Sequence, residues 1–109
     1  VHFYYYISDL SNADYQTLQA HAQYLSQNPT AKVLLAGHAD ERGTREYNMA
    51  LGERRANAVQ AFLNSNGAKS NQLDTVSYGK EKPSNDGHDE AAWSENRRVE
   101  ITYKAGSPK

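Results

Sequence analysis

Polar and apolar positions along the chain switch between a period of two and a period near 3.6, and the switches mark the elements. Val1-His2-Phe3-Tyr4-Tyr5-Tyr6-Ile7 is dense in β-forming residues; its alternation puts Val1, Phe3, Tyr5 and Ile7 on one face and His2, Tyr4 and Tyr6 on the other. Ser11-Asn12-Ala13-Asp14 has the form of a capping box, and Tyr15, Leu18, Ala22 and Leu25 follow at helical spacing until Asn28-Pro29 stops the helix. Residues 32–38 are apolar on both faces at Val33, Leu34, Leu35 and Ala36, which predicts a strand in the middle of a sheet. A long helix is predicted from about Thr44 to Asn64 or Asn66, with Gly67 placed to end it. Thr75-Val76-Ser77-Tyr78 reads as a short strand closed by Gly79, residues 80–87 with Pro83 as a loop, and residues 89–96 as a short helix around Trp93. Residues 98–103 alternate strictly, so one face of that last strand is buried and the other is wet. Right-handed strand-helix-strand crossovers then give an α/β fold, a two-layer sandwich with a four-stranded mixed sheet and helices packed mainly on one face. Residues 1–104 form the domain and residues 105–109 a C-terminal tail.

One junction concentrates chemistry. The apolar run from Val33 ends at Gly37, and His38-Ala39-Asp40-Glu41-Arg42-Gly43 turns into the long helix. On a helical wheel Leu51, Ala58 and Phe62 fall within about 40° of one another, and Arg55 falls among them. A guanidinium directed along a buried stripe keeps its charge and requires an anion or a polar pocket. Asp40, at the strand's carboxyl end, is the nearest candidate, with Asn48 and Thr44 further up Arg55's own face. Two readings of this pattern stand side by side. Asp40 and Arg55 form a self-contained ion pair that locks the loop to the helix, or they receive a zwitterionic ligand, Arg55 forking a carboxylate while Asp40 accepts from an ammonium.

Composition narrows the classes. A chain of 109 residues, 38% hydrophobic and 23% charged with a net charge of -1, is one ordinary globular domain with no general attraction for nucleic acid. Lys80-Glu81-Lys82 and Arg97-Arg98 are too short and too mixed in sign for a nucleic-acid groove. No window approaches the length of a membrane span. The chain opens at Val1 inside a strand-like run, with no signal peptide, which predicts an excised domain whose targeting sequence lies upstream. The absence of cysteine excludes disulfides, thiolate metal sites and cysteine nucleophiles.

Catalytic readings find little support, and no cofactor or metal is expected. His38, Asp40 and Glu41, and again His88, Asp89 and Glu90, are loop neighbours without a second imidazole at ligand spacing. Ser77 and Ser94 lack a nucleophile-elbow context. Glu46 and Glu53 lie where an exposed helix face is expected, so a paired-carboxylate hydrolase is disfavoured as well. The expected class is a binding domain.

Gly37-His-Ala-Asp-Glu-Arg-Gly-Thr-Arg-Glu-Tyr-Asn48, Leu51-Gly-Glu-Arg-Arg-Ala-Asn-Ala-Val59, Val76-Ser-Tyr-Gly-Lys-Glu-Lys-Pro83 and Gly87-His-Asp-Glu-Ala-Ala-Trp-Ser-Glu-Asn-Arg-Arg98 together resemble the outer-membrane protein A-like C-terminal domain family. The resemblance runs from the first strand to Tyr103. It implies a periplasmic domain that binds the peptide stem of peptidoglycan noncovalently and anchors the outer membrane to the cell wall. The membrane would be reached only through a lipid anchor upstream of this chain, which by itself would be soluble, and TolB would be a protein partner. It also implies that the recognition pair for the diaminopimelate side chain falls on Asp40 and Arg55.

The resemblance breaks at the first strand. The family usually ends it with Phe-Asp, and that Asp lies at the mouth of the peptidoglycan pocket; here the position is Tyr6, within Tyr4, Tyr5, Tyr6 and Ile7. Such an aromatic run is typical of protein interfaces. A second reading therefore takes the chain as an engineered scaffold of this family, whose patch of Tyr4, Tyr5, Tyr6 and Ile7 binds a non-native protein target and blocks an enzyme cleft.

Overall fold

The computed structural model describes residues 12–83 and 85–106. In chain order these form α1 (Asn12–Gln27), β1 (Lys32–His38), α2 (Arg45–Ser65), a 3-10 turn (Ser70–Gln72), β2 (Leu73–Gly79), α3 (Glu90–Asn96) and β3 (Val99–Ala105). The predicted strand at residues 1–7, the aromatic patch within it and Ser11 of the capping box lie outside the described residues. Among the described residues the sheet therefore has three strands, in the order β2-β1-β3, with β1 parallel to β2 and antiparallel to β3. β1 is central, as its two apolar faces require.

Register puts Val33, Leu35 and Gly37 on one face with Leu73, Thr75 and Ser77 of β2 and Tyr103, Ile101 and Val99 of β3. Leu18, Ala22 and Leu25 of α1 and Ala56, Val59 and Leu63 of α2 join Val33, Leu35, Leu73 and Val99 on that face in one core. On the other face Asp74 and Thr102 flank Leu34, and Lys104 Nζ reaches Asp74 Oδ2 at 2.5 Å. β2 begins two residues before the predicted Thr75, because Leu73 and Asp74 pair with Val33 and Leu34. β3 runs through Ala105, the first residue of the segment read as a tail.

The buried stripe of α2 differs from the one expected. It consists of Asn48, Leu51, Gly52, Arg55, Ala56, Val59 and Leu63, whereas Ala58 and Phe62 are only half-buried. Relative to the predicted stripe the helix is rotated by roughly 80°. A close backbone approach accounts for this. A Cβ on Gly37 would lie 1.8 Å from the Gly52 carbonyl oxygen, so the helix must turn its smallest residue onto the strand. Phe62 is thereby directed at α1, where its ring lies 5.1 Å from that of Tyr15. The helix ends are as predicted. Thr44 caps the first turn, its hydroxyl accepting from Tyr47 N at 3.1 Å. At the other end Gly67, at φ 112°, supports Ala68 N donating to Leu63 O at 3.0 Å, the long bond of a Schellman motif.

Gln72 ties the layers together in a way its sequence position does not announce. It is 1% exposed, and its Nε2 lies 2.9–3.0 Å from the carbonyl oxygens of Leu25, Asn28 and Ala31, while Oε1 accepts from Lys69 N. Gln72→Ala should cost about 1–3 kcal/mol, the range for leaving buried polar groups unsatisfied. Urea unfolding checks this, and a loss under 0.5 kcal/mol, the scale of a surface substitution, would contradict it.

Candidate functional site

β1 delivers its last residues to the carboxyl end of the parallel pair, where open α/β sheets present ligand sites. His38 N donates to Arg98 O at 2.7 Å and Ala39 N to Gly79 O at 2.8 Å, so the chain entering Asp40 is pinned on both sides. Asp40 then turns the backbone: its Oδ1 accepts from Arg42 N at 3.0 Å, an Asx turn. Asn48, 1% exposed, holds the far side of the loop by donating from Nδ2 to Arg42 O at 2.7 Å.

Asp40 is 2% exposed and surrounded by arginine. Arg42 donates from Nη2 to Oδ2 at 2.7 Å and from Nε to Oδ1 at 3.3 Å, and Arg97 donates from Nη1 to Oδ2 at 3.2 Å. Burial alone would push the carboxyl up; the hydrogen bonds from the Arg42 side chain and backbone and from Arg97 outweigh it and hold it below the ordinary carboxylate range. Asp40 is therefore ionised at neutral pH.

Arg55 is fully buried and donates from Nη1 to His38 O at 2.9 Å. Burial pushes its guanidinium down to about 10 and the charge of Asp40 opposes that shift, so it is still a cation at neutral pH. The self-contained Asp40–Arg55 ion pair weighed from the sequence does not form. Among the described residues the ion-pair partners of Asp40 are Arg42 and Arg97, and Arg55 faces a backbone carbonyl. Asp40, Asn48 and Arg55 do share one buried cluster, with Thr44 at its edge as the exposed helix cap. Tyr6 lies outside the described residues.

Six side chains besides Asp40, Thr44, Asn48 and Arg55 shape the cluster, and neither charge pattern nor periodicity assigns them to it. Arg97, 3% exposed, reaches Glu90 Oε1 at 2.5 Å while holding Asp40. The Arg42 guanidinium lies 4.1 Å from the centroid of the Trp93 ring, a cation–π distance, and 3.8 Å from Glu90 Oε2. Trp93 Nε1 donates to Glu41 at 3.1 Å, and Glu41 also meets His88 Nδ1 at 2.6 Å. These bonds bring parts of the two acidic loop motifs together, yet no group of three or more His, Asp and Glu able to hold a metal occurs among the described residues. The only sign in the sequence was the placement of Arg97-Arg98 directly before a half-buried strand. A groove of about 630 Å³ lies elsewhere, between α2 and β2, lined by Met49, Ala50, Glu53 and Val76 among others. Its charged lining residues, Arg45, Glu46 and Glu53, are all exposed, whereas Asp40 and Arg55 are buried.

Residues 2–97 match the OmpA family. The peptidoglycan-associated lipoprotein of Haemophilus influenzae is 55% identical over 95 residues, covering 87% of this chain and 62% of that protein. That of Legionella pneumophila is 52% identical over 103 residues, covering 94% and 58%. The chain thus spans about three fifths of the length of these relatives. The crystal structure of the peptidoglycan-associated lipoprotein from Burkholderia pseudomallei superposes with a TM-score of 0.94 at 45% identity, over 95% of this chain and 88% of that one. The C-terminal domain of Helicobacter pylori MotB shares the fold, with a TM-score of 0.86 at 21% identity over 97% of this chain and 84% of that one.

Proposed function

The chain belongs to the OmpA family, and from that premise we propose that it binds the diaminopimelate-containing peptide stem of peptidoglycan noncovalently, at the cluster of Asp40 and Arg55. The observation that carries this reading is a buried carboxylate and a buried guanidinium, 2% and 0% exposed, both charged at neutral pH and not paired with each other. A free zwitterionic end, one ammonium and one carboxylate on the same carbon, has the charges to engage both. Arg55 forks the carboxylate and Asp40 accepts from the ammonium. Asn48 and Thr44 act by fixing the loop and the helix start that present Asp40, as their bonds to Arg42 O and Tyr47 N suggest.

The activity is binding without turnover. Ser77, the described serine closest to a nucleophile candidate, has its hydroxyl 2.6 Å from Met49 O, an acceptor that leaves no base to activate it. In the whole protein the same reading makes this domain the cell-wall anchor of the outer membrane, facing the periplasm and tethered by an upstream lipid, with TolB as its protein partner.

Calorimetric titration with two stem peptides tests the assignment. A stem carrying lysine in place of diaminopimelate lacks the second carboxylate and the contact that it makes with Arg55. A loss of about 1–3 kcal/mol corresponds to roughly tenfold to a hundredfold weaker binding. Equal affinity for the two stems would mean that the site reads something else.

A further inference from the structure

The acceptor assigned to the ligand's ammonium is full. A carboxylate offers about four lone-pair sites. Asp40 already receives four donors: Arg42 N, Arg42 Nε, Arg42 Nη2 and Arg97 Nη1. An incoming ammonium therefore has to displace one of them. The backbone donor is part of the turn. The Arg97 side chain is 4% exposed and anchored at its other nitrogen by Glu90, whereas the Arg42 side chain is 26% exposed.

Arg42 also has somewhere to go. Its guanidinium rests on the face of Trp93, and the same Nη2 that bonds Asp40 is 3.8 Å from Glu90 Oε2. The Glu90 side chain is 66% exposed, and only its Oε1 is taken by Arg97. A short slide across the indole exchanges one carboxylate for the other while the cation–π contact is kept.

We propose that Arg42 is a built-in competitor for the receptor: its guanidinium closes Asp40 in the free protein and moves along Trp93 to Glu90 when the ligand's ammonium arrives. This rests on the assignment of Asp40 made above and adds a consequence for selectivity. When the binding-competent state is only a fraction of the population, apparent affinity falls by that fraction. A lone amine gains only the contact that Arg42 gives up. A ligand that also places a carboxylate on Arg55 makes a second interaction to offset the displacement, so the device favours zwitterionic ends over simple amines.

The test is a titration of wild type, Arg42→Gln and Arg42→Lys with the diaminopimelate stem peptide, together with the Arg42 Nε–Hε NMR resonance of the wild-type protein during titration. Removing the competitor should tighten binding by roughly tenfold, the factor for a receptor open about one tenth of the time. Arg42→Lys keeps a cation and should stay near wild type. In the wild type the Arg42 resonance should shift to a new position at saturation. Unchanged or weaker binding by a folded Arg42→Gln overturns the proposal, and so does stem binding that leaves the Arg42 resonance in place, whether or not the variant folds. Absence of binding by both wild type and Arg42→Gln would instead overturn the assignment of Asp40, and the competitor with it.

Discussion

Asp40→Ala is expected to destabilise the domain by about 3–5 kcal/mol, the cost of removing one partner from a buried charge cluster. The carboxylate neutralises Arg97, which is 3% exposed, offsets the buried charge of Arg55 and closes the turn through Arg42 N. Without it Arg42 and Arg97 lose their shared carboxylate, and the loop that starts α2 loses its Asx turn. On a total stability of about 5–15 kcal/mol this is a large fraction. Asp40→Asn keeps the turn and the shape but not the charge, and should lose less. Acid separates the two contributions. The Asp40 carboxyl is depressed in the folded state, so its stabilisation is complete above the unfolded-state value of about 3.9 and is lost as pH falls through the lower folded value. The stability gap between wild type and Asp40→Asn should therefore hold from pH 7 to about 5 and shrink below about pH 4. A gap independent of pH down to 2 would show that charge is not what Asp40 contributes.

The second large effect falls on binding. Arg55→Met keeps an unbranched side chain of similar length in the core and removes the forked donor. Losing one partner of a desolvated, charge-assisted contact costs about 2–5 kcal/mol, enough to take a micromolar interaction out of measurable range. Stability should fall less, because the methionine fills the space that the guanidinium stem occupied, even though the bond to His38 O is lost. Arg55→Lys retains charge without the fork and should bind between the two. Binding by Arg55→Met within threefold of wild type would place the ligand's carboxylate elsewhere.

Much of this architecture is legible in the sequence because it is local. The double-sided apolar run of 33–36 specifies a central strand, Thr44 and Gly67 bound α2, and the alternation of 99–103 exposes one face of β3; each depends on a few neighbouring residues. Asp40 and Arg55 were legible for a related reason: a loop carboxylate at a strand end and a cation on an apolar helix face are both anomalies of pattern. What the pattern could not supply was long-range. Arg97 meets Asp40 across 57 positions, Trp93 meets Glu41 across 52, and Gln72 serves carbonyls more than 40 residues away. No window or wheel relates such residues. The rotation of α2 was missed on the same ground, since it is fixed by the approach of Gly52 to Gly37 on another element. The direct Asp40–Arg55 pair, the simplest arrangement of the two charges, gives way to Arg42 and Arg97, which reach the carboxylate more directly.

The most direct test of the central claim is an NMR titration of the wild-type domain with the diaminopimelate stem peptide, following backbone amides and arginine side-chain Nε–Hε groups together. The largest shifts should fall on the amides of residues 38–42, on Asn48 and on the side chains of Arg42, Arg55 and Arg97. Shifts confined to the groove between α2 and β2, around Met49, Glu53 and Val76, with the Asp40 cluster unmoved at saturation, would contradict it.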